Sequence, residues 1–186
     1  MRTPQLMRMD RASLDGLPPR PAVPAGLSIH TYSDSLFEPW LSLLEACFPE
    51  NGQLPRERWR ERVVSDSRFL RDGWFLVHDD RSGPYVATAY SWAEGPEHPG
   101  LGRVEWVGVL PERRGQGLGR LVMSLVLHYL ADSGFSRATL DTEAFRVPAV
   151  ALYLSLGFVP VPRSSDEHAV WAEVVAQASH RRTSDA

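Results

Sequence analysis

Glycines at positions 115, 117 and 119, with arginines at 113, 114 and 120, are the residues of this 186-residue chain whose types and spacing point most directly to chemistry. The run Pro111-Glu112-Arg113-Arg114-Gly115-Gln116-Gly117-Leu118-Gly119-Arg120 follows an apolar, β-like stretch, Val104-Glu105-Trp106-Val107-Gly108-Val109. It opens a strongly periodic helical segment, Leu121 to Ala131. A strand that turns through alternate glycines into a helix presents a row of backbone N–H groups at the positive end of the helix dipole. Glycine at alternate positions removes the Cβ atoms that would hold a phosphate away from the backbone. The arginines add fixed positive charge. The chemistry this implies is the gripping of a phosphorylated ligand, although the same glycines would also suit a tight connection that binds nothing. A Walker A loop is excluded, because it requires a lysine and the chain contains none. The dinucleotide fingerprint G-x-G-x-x-G fails at its third glycine, where Arg120 stands.

A pattern that does fit is Q/R-x-x-G-x-G/A, carried here by Arg114, Gly117 and Gly119 after a strand ending in V-x-V-x-P. It resembles the coenzyme A pyrophosphate loop of the GCN5-related N-acetyltransferases, the GNAT superfamily. About twenty residues further on, the chain reads Thr139-Leu140-Asp141-Thr142-Glu143 and then Ala149-Val150-Ala151-Leu152-Tyr153-Leu154-Ser155-Leu156-Gly157-Phe158. The string A-x-x-L-Y-x-x-x-G-F is similar to the segment that follows the fifth strand of GNAT enzymes. Two motifs in the family's order and at its spacing are far more specific than either alone. Together they span residues 103–160.

The resemblance implies an acetyl-CoA-dependent N-acetyltransferase with no metal, working by direct attack in a ternary complex. Arg114, Gly115, Gln116, Gly117, Leu118, Gly119 and Arg120 would hold the coenzyme's phosphates. An alkyl amine has a pKa near 10, so a base must remove its proton at neutral pH. Glu105 is the first candidate, since it lies on the strand that lines the acceptor site in the family. In a regular strand it would share a face with Val107 and Val109, and a bulge, common in this strand within the family, would break that parity. Tyr153 occupies the place of the family's usual general acid, and a phenol can protonate a departing thiolate. Asp141 matches a position where some members carry a catalytic glutamate; its shorter side chain ranks it second. Backbone groups of Val107, Gly108 and Val109 would pair with the pantetheine amides, and an N–H there would polarise the thioester carbonyl. Such a donor is typically worth ~3 kcal/mol in the transition state. Many members carry an asparagine shortly before A-x-x-L-Y that bonds the coenzyme; Arg146 stands there instead, and its guanidinium offers a different geometry.

The acceptor itself has no readable signature. A small-molecule amine is favoured, with a protein N-terminus or side chain as the enzymatic alternative and a catalytically silent acyl-CoA-binding module as the alternative from another class. Trp92, Trp106 and Tyr90 fit either an aromatic acceptor cleft or, more simply, core strand positions.

The elements that must position these groups follow from periodicity. Leu27 to Tyr32 alternates as a strand, Ser35 to Cys47 has a helical stripe through Leu36, Trp40, Leu43 and Leu44, and Pro55 to Val64 reads as a second helix. Strands at 74–78 and 85–90 flank the turn Asp79-Asp80-Arg81-Ser82-Gly83-Pro84. The loop helix would bury Leu121, Val122, Leu125, Val126, Tyr129 and Leu130 and stop at Gly134. A strand, a helix from Pro148 to Gly157, and a last β pair complete the order. A hairpin inside this order excludes a doubly wound dinucleotide fold. The expected class is α/β with layered α+β character: the GNAT fold, a mixed, mostly antiparallel twisted sheet of six to seven strands flanked by about four helices.

Bulk properties agree. The expected organisation is an irregular, proline-rich segment over residues 1–25, one GNAT domain over 26–178 and a polar tail over 179–186. With 43% hydrophobic and 23% charged residues the composition is globular, and a net charge of −3 argues against nucleic acid as a partner. No apolar stretch reaches the roughly 18 to 20 residues that span a bilayer. The N-terminal residues lack a secretory core, and a lone Cys47 cannot form an internal disulfide, so a cytoplasmic location is expected. The Phe-Arg-x-Pro-Ala-x-x-Leu-Tyr string resembles a bacterial subgroup of GNAT proteins, and a monomer or homodimer is expected.

Overall fold

The computed structural model describes residues 6–53 and 55–184. In chain order its strands and α-helices are β1 (Leu6–Arg11), β2 (Leu27–Thr31), α1 (Phe37–Cys47), α2 (Arg56–Trp59), β3 (Phe69–Asp79), β4 (Tyr85–Ala93), β5 (Leu101–Val109), α3 (Leu118–Asp132), β6 (Arg137–Glu143), α4 (Val147–Ser155), β7 (Val159–Pro160) and α5 (Ser165–Ser184). They cluster into two compact units, residues 14–136 and residues 6–13 with 137–184.

In the larger unit β2, β3, β4 and β5 pair in that order, each antiparallel to the next. β4 is buried along almost its whole length because both of its faces are covered. Its sequence divides accordingly. Ala87, Ala89 and Ser91 are small and admit α3, which packs on β3, β4 and β5. Thr88, Tyr90 and Trp92 face the other way, where Tyr90 and Trp92 join a core with Phe37, Trp40, Leu41, Leu44, Val63, Phe69, Trp74 and Leu76. α1 supplies four of these at the helical spacing of three and four residues. Burying each such side chain stabilises the fold by about 1.5–3 kcal/mol relative to exposure. The hydroxyls that this burial traps are satisfied: Thr88 Oγ1 donates to Phe75 O at 2.9 Å and Ser91 Oγ to Gly73 O at 3.0 Å. Tyr90 and Trp92 are thus core residues. Trp106 is only half-buried.

The second expected helix is shorter than its periodicity predicts. α2 ends at Trp59 and the chain continues as a π-helical turn, Arg60–Val64. α3 buries Leu118, Leu121, Val122, Met123, Val126, Leu127 and Leu130. Its buried stripe therefore runs through Met123 and Leu127, while Leu125 and Tyr129 are half-buried. Gly134, at φ +86°, ends the helix as expected, with Phe135 N–H bonded back to Leu130 O at 3.0 Å.

In the smaller unit β1 lies between β6 and β7, antiparallel to both. An irregular segment was expected over residues 1–25, but Leu6–Arg11 forms a strand. The crowded prolines that argue against regular structure, Pro18, Pro19, Pro21 and Pro24, follow Gly16, whereas L-M-R-M-D-R alternates with period two. Met7 and Met9 are buried on one face of the pair with β6, and Leu6 is exposed on the other. The last β pair is also corrected. Only Val159–Pro160 pairs with β1, and residues 165–184 form α5, which buries Trp171, Val174 and Ala178 and packs on α4. Valines favour strands in isolation, but here they recur at helical spacing among alanines, and packing decides. α5 also carries regular structure into the expected polar tail. Among the described residues there are seven strands, all paired antiparallel within their units, and five α-helices rather than four.

Candidate active site

The glycine turn has the local geometry its sequence implies. β5 ends at Val109, Leu110 N–H donates to Val86 O at 3.0 Å, and a 3-10 turn over Pro111–Arg113 leads into the glycines. Gly115 and Gly117 have φ of +76° and +78°, values that a side chain rarely adopts. A Cβ on either would meet no atom within 4 Å, so the concave side of the turn is open. Gly117 caps α3, and Leu121 N–H is the first amide bonded within the helix, to Gly117 O at 3.0 Å. The preceding amides head the helix at its positive end.

The arginines divide the work. Arg113 forms an ion pair with Asp79 at the end of β3, and its Nε donates to Gln116 Oε1 at 3.1 Å. Asp79 also accepts from Arg81 N–H at 3.0 Å and Ser82 N–H at 3.3 Å. The Arg113 guanidinium first, and these amides after it, hold the Asp79 carboxyl well below the usual carboxylate range. Arg114 turns inward: Nε donates to Val109 O at 3.2 Å and Nη2 to Cys47 O at 3.3 Å, tying the end of β5 to the end of α1. Burial pushes the Cys47 thiol up to about 12, so this residue is no nucleophile at neutral pH.

β5 is not regular. Glu105 pairs with Tyr90 and Gly108 with Thr88, so three steps on β5 match two on β4. The extra residue is a bulge centred on Trp106, whose φ is +49°. It overturns the parity of a regular strand: Glu105 shares a face with Gly108, while Val107 and Val109 face α3. A Cβ on Gly108 would come within 3.1 Å of Cys47 Sγ and 3.2 Å of Phe48, so what approaches this glycine closely is the end of α1. The Glu105 carboxylate is half-buried, with Arg103 Nη1 at 3.7 Å. Arg103 is held mainly by Glu94, at 2.6 and 2.8 Å. The bulge also takes one peptide out of the β4–β5 ladder, leaving polar backbone available at this point of the strand.

The smaller unit holds the other expected residues. Tyr153 is buried in α4, its ring 6.2 Å from that of Phe158. Asp141 is exposed on β6, opposite Arg8 of β1. Arg146 precedes α4, paired with Glu143 and stacked 4.9 Å over the Phe145 ring.

The glycine turn at the helix N-terminus and the bulged strand that leads into it lie within a stretch matched by a family model. The acetyltransferase (GNAT) family model covers residues 37–158. The chain belongs to the GNAT family. Its relatives include a mycothiol acetyltransferase from Pseudarthrobacter chlorophenolicus, 34% identical over 160 residues, 82% of this chain and 48% of that protein. The chain thus spans about half the length of the curated relatives it matches. A GCN5-related N-acetyltransferase from Sphaerobacter thermophilus superposes with a TM-score of 0.67 at 24% identity, over 86% of this chain and 50% of that one. A tandem GNAT protein from the clavulanic acid biosynthesis pathway gives 0.65 at 22% identity, over 86% and 51%. These two likenesses establish the fold alone.

Set on the GNAT frame, the residues that sequence reasoning missed are Asp79, Arg103 and Glu94, with the aromatic residues Phe48 and Trp59. Asp79 read only as a turn former, and nothing local to it signals Arg113, thirty-four positions away. Glu94 and Arg103 straddle a Gly/Pro-rich connection that hid their pairing. Among the described residues no group of three or more His, Cys, Asp or Glu is placed to hold a metal ion, and no helix is long and apolar enough to cross a membrane.

Proposed function

We propose that this GNAT chain transfers an acetyl group from acetyl-CoA to the primary amine of a small molecule. The observation that carries the reading is the open turn of Gly115 and Gly117 at the head of α3, directly continuous with the bulged strand that bears Glu105. The turn suits a pyrophosphate: it offers helix-terminal amides, no Cβ in the cradle, and a neighbouring cleft of about 200 Å³ with Arg81 and Arg113 on its wall. The mycothiol acetyltransferase relatives favour a small-molecule acceptor over a protein terminus.

Bound acetyl-CoA supplies the acetyl group as an activated thioester. The chain's residues do the rest. Glu105, half-buried on β5 with Arg103 Nη1 at 3.7 Å, takes the proton that the acceptor's ammonium must lose before its nitrogen can attack. A backbone N–H released by the bulge around Trp106–Gly108 polarises the carbonyl. As the C–N bond forms the nitrogen sheds its second proton to solvent, and as the C–S bond breaks Tyr153 gives its phenolic proton to sulfur and regains one from solvent. Arg113, locked by Asp79, keeps Gln116 and the turn in place. Holding amine and thioester together supplies much of the acceleration.

The test is calorimetric titration with acetyl-CoA, followed by CoA release over an amine panel. Gly117→Glu puts charge and bulk into the cradle and is expected to abolish binding; Gly117→Asn, which tolerates the left-handed backbone, is expected to retain much of it. Equal affinity for all three proteins would remove the turn from the site. Glu105→Gln and Tyr153→Phe are each expected to lower turnover by roughly 10²-fold with coenzyme affinity unchanged. Tight binding without turnover on any amine would point instead to a silent acyl-CoA-binding module.

A further inference from the structure

The bulge does more than shift parity. By inserting one residue, it places two consecutive side chains, Glu105 and Trp106, toward the same side of β5. Trp106 meets Phe48 just beyond α1, at a centroid distance of 5.4 Å, and Trp59 at the end of α2, at 4.7 Å. Both contacts are edge-to-face, and all three rings are half-buried, whereas Trp40, Trp74 and Tyr90 beneath them are buried. Three backbone irregularities converge on this cluster. Trp106 is the sole non-glycine residue at positive φ among the described residues, a conformation that a bulky residue adopts only when its surroundings impose it. Trp59 immediately precedes the π-helical turn Arg60–Val64, a rare geometry that gathers at functional sites. Phe48 sits at the break between α1 and a 3-10 turn, Pro49–Asn51. A core needs none of these departures. A strand bulged so that a tryptophan stands next to the candidate base, edged by two further rings, sets a half-buried aromatic wall beside that base.

We infer that Phe48, Trp59 and Trp106 select the acceptor, favouring primary amines that carry a flat apolar or ring-shaped face within two or three bonds of the amino nitrogen. The inference rests on the acetyl-transfer reading above, and on Glu105 as its base. Indole faces attract C–H and aromatic surfaces by dispersion and quadrupole terms, and they attract the ammonium form in which an alkyl amine arrives. Small hydrophilic amines share the cation–π attraction but gain no dispersion contact with the rings. These are specificity residues: they touch the acceptor's body and take no part in proton transfer.

The experiment compares 2-phenylethylamine with ethanolamine, whose amino groups are similar and whose bodies differ. Binding of each to the coenzyme-loaded protein is followed by calorimetry, and turnover by CoA release. For the unaltered protein, 2-phenylethylamine is expected to bind about tenfold more tightly and to show the lower KM, the fold-change of one aromatic contact. Trp59→Ala is expected to erase that preference through KM, leaving kcat and the acetyl-CoA affinity unchanged. Trp106→Phe, which keeps a ring at the strained position, is expected to retain part of it and guards against misfolding of the alanine variant. Preferential binding without turnover would uphold the wall and defeat the acetyl-transfer reading. No preference in the unaltered protein, or a preference untouched by Trp59→Ala in a folded variant, would overturn the inference whether or not acetyl transfer occurs.

Discussion

Asp79 is the residue through which a hairpin turn is tied to the glycine turn. It is only 7% exposed, and its carboxylate gathers Arg113 and two turn amides. Its folded-state pKa lies below the unfolded value near 4, so the stability it contributes is present above about pH 4 and is lost as pH falls below that. Asp79→Asn is therefore expected to lower the melting temperature by several degrees at pH 7. The gap should close progressively as both proteins are melted at pH 4 and below. A gap that stays constant with pH would mean that the carboxylate's charge is not what matters. Because Arg113 also holds Gln116, the same variant is expected to raise the KM for acetyl-CoA more than it lowers kcat.

At the scale of elements, β5 bears the proposed base and its bulge sets the facing. Deleting Val107 would restore one-to-one pairing between Glu105–Gly108 and Thr88–Tyr90. Trp106 would then pair with Ala89 and turn toward α3, into space that β4 keeps narrow with Ala87, Ala89 and Ser91. The expected outcome is a lower melting temperature, an altered near-UV circular dichroism signal from the Trp59–Trp106 pair, and loss of acetyl transfer. Retention of the native aromatic signal would show that the bulge relocates rather than disappears. α3 plays the complementary part. Its buried stripe fixes the helix on the sheet, and its N-terminus therefore points at a defined place beyond the end of β5.

At the scale of the whole molecule, the chain carries 20 basic residues and none is a lysine. Arginine keeps its proton at any working pH and offers no nucleophilic nitrogen. No internal side chain of this protein offers a primary amine that could compete as an acetyl acceptor. Incubation with acetyl-CoA but no added amine is thus expected to release CoA only at the rate of hydrolysis, with the mass of every internal peptide unchanged. Acetylated internal peptides would reveal acceptor chemistry outside primary amines. With a net charge of −3 there is little long-range field to steer an anionic coenzyme, so the acetyl-transfer proposal assigns its capture to the local turn.

What the sequence by itself determined is local: the anion turn from alternating glycines before an apolar helix, the hairpin at Asp79–Pro84, the stripe of α1, the stop at Gly134, and the family through two spaced motifs. Each is written in neighbouring residues whose φ preferences or periodicity act over one or two turns of chain. What only the tertiary structure decided is which of several local options wins. L-M-R-M-D-R is a strand because β6 and β7 receive it, and 165–184 is a helix because Trp171, Val174 and Ala178 find α4 to pack on. The register of β4 against β5 put a bulge at Trp106 that no propensity announces, since tryptophan is among the residues least suited to positive φ. That one inserted residue joined Glu105 to Trp106 on a single face, and packing over a distance of many residues, not the order of the letters, is what imposed it.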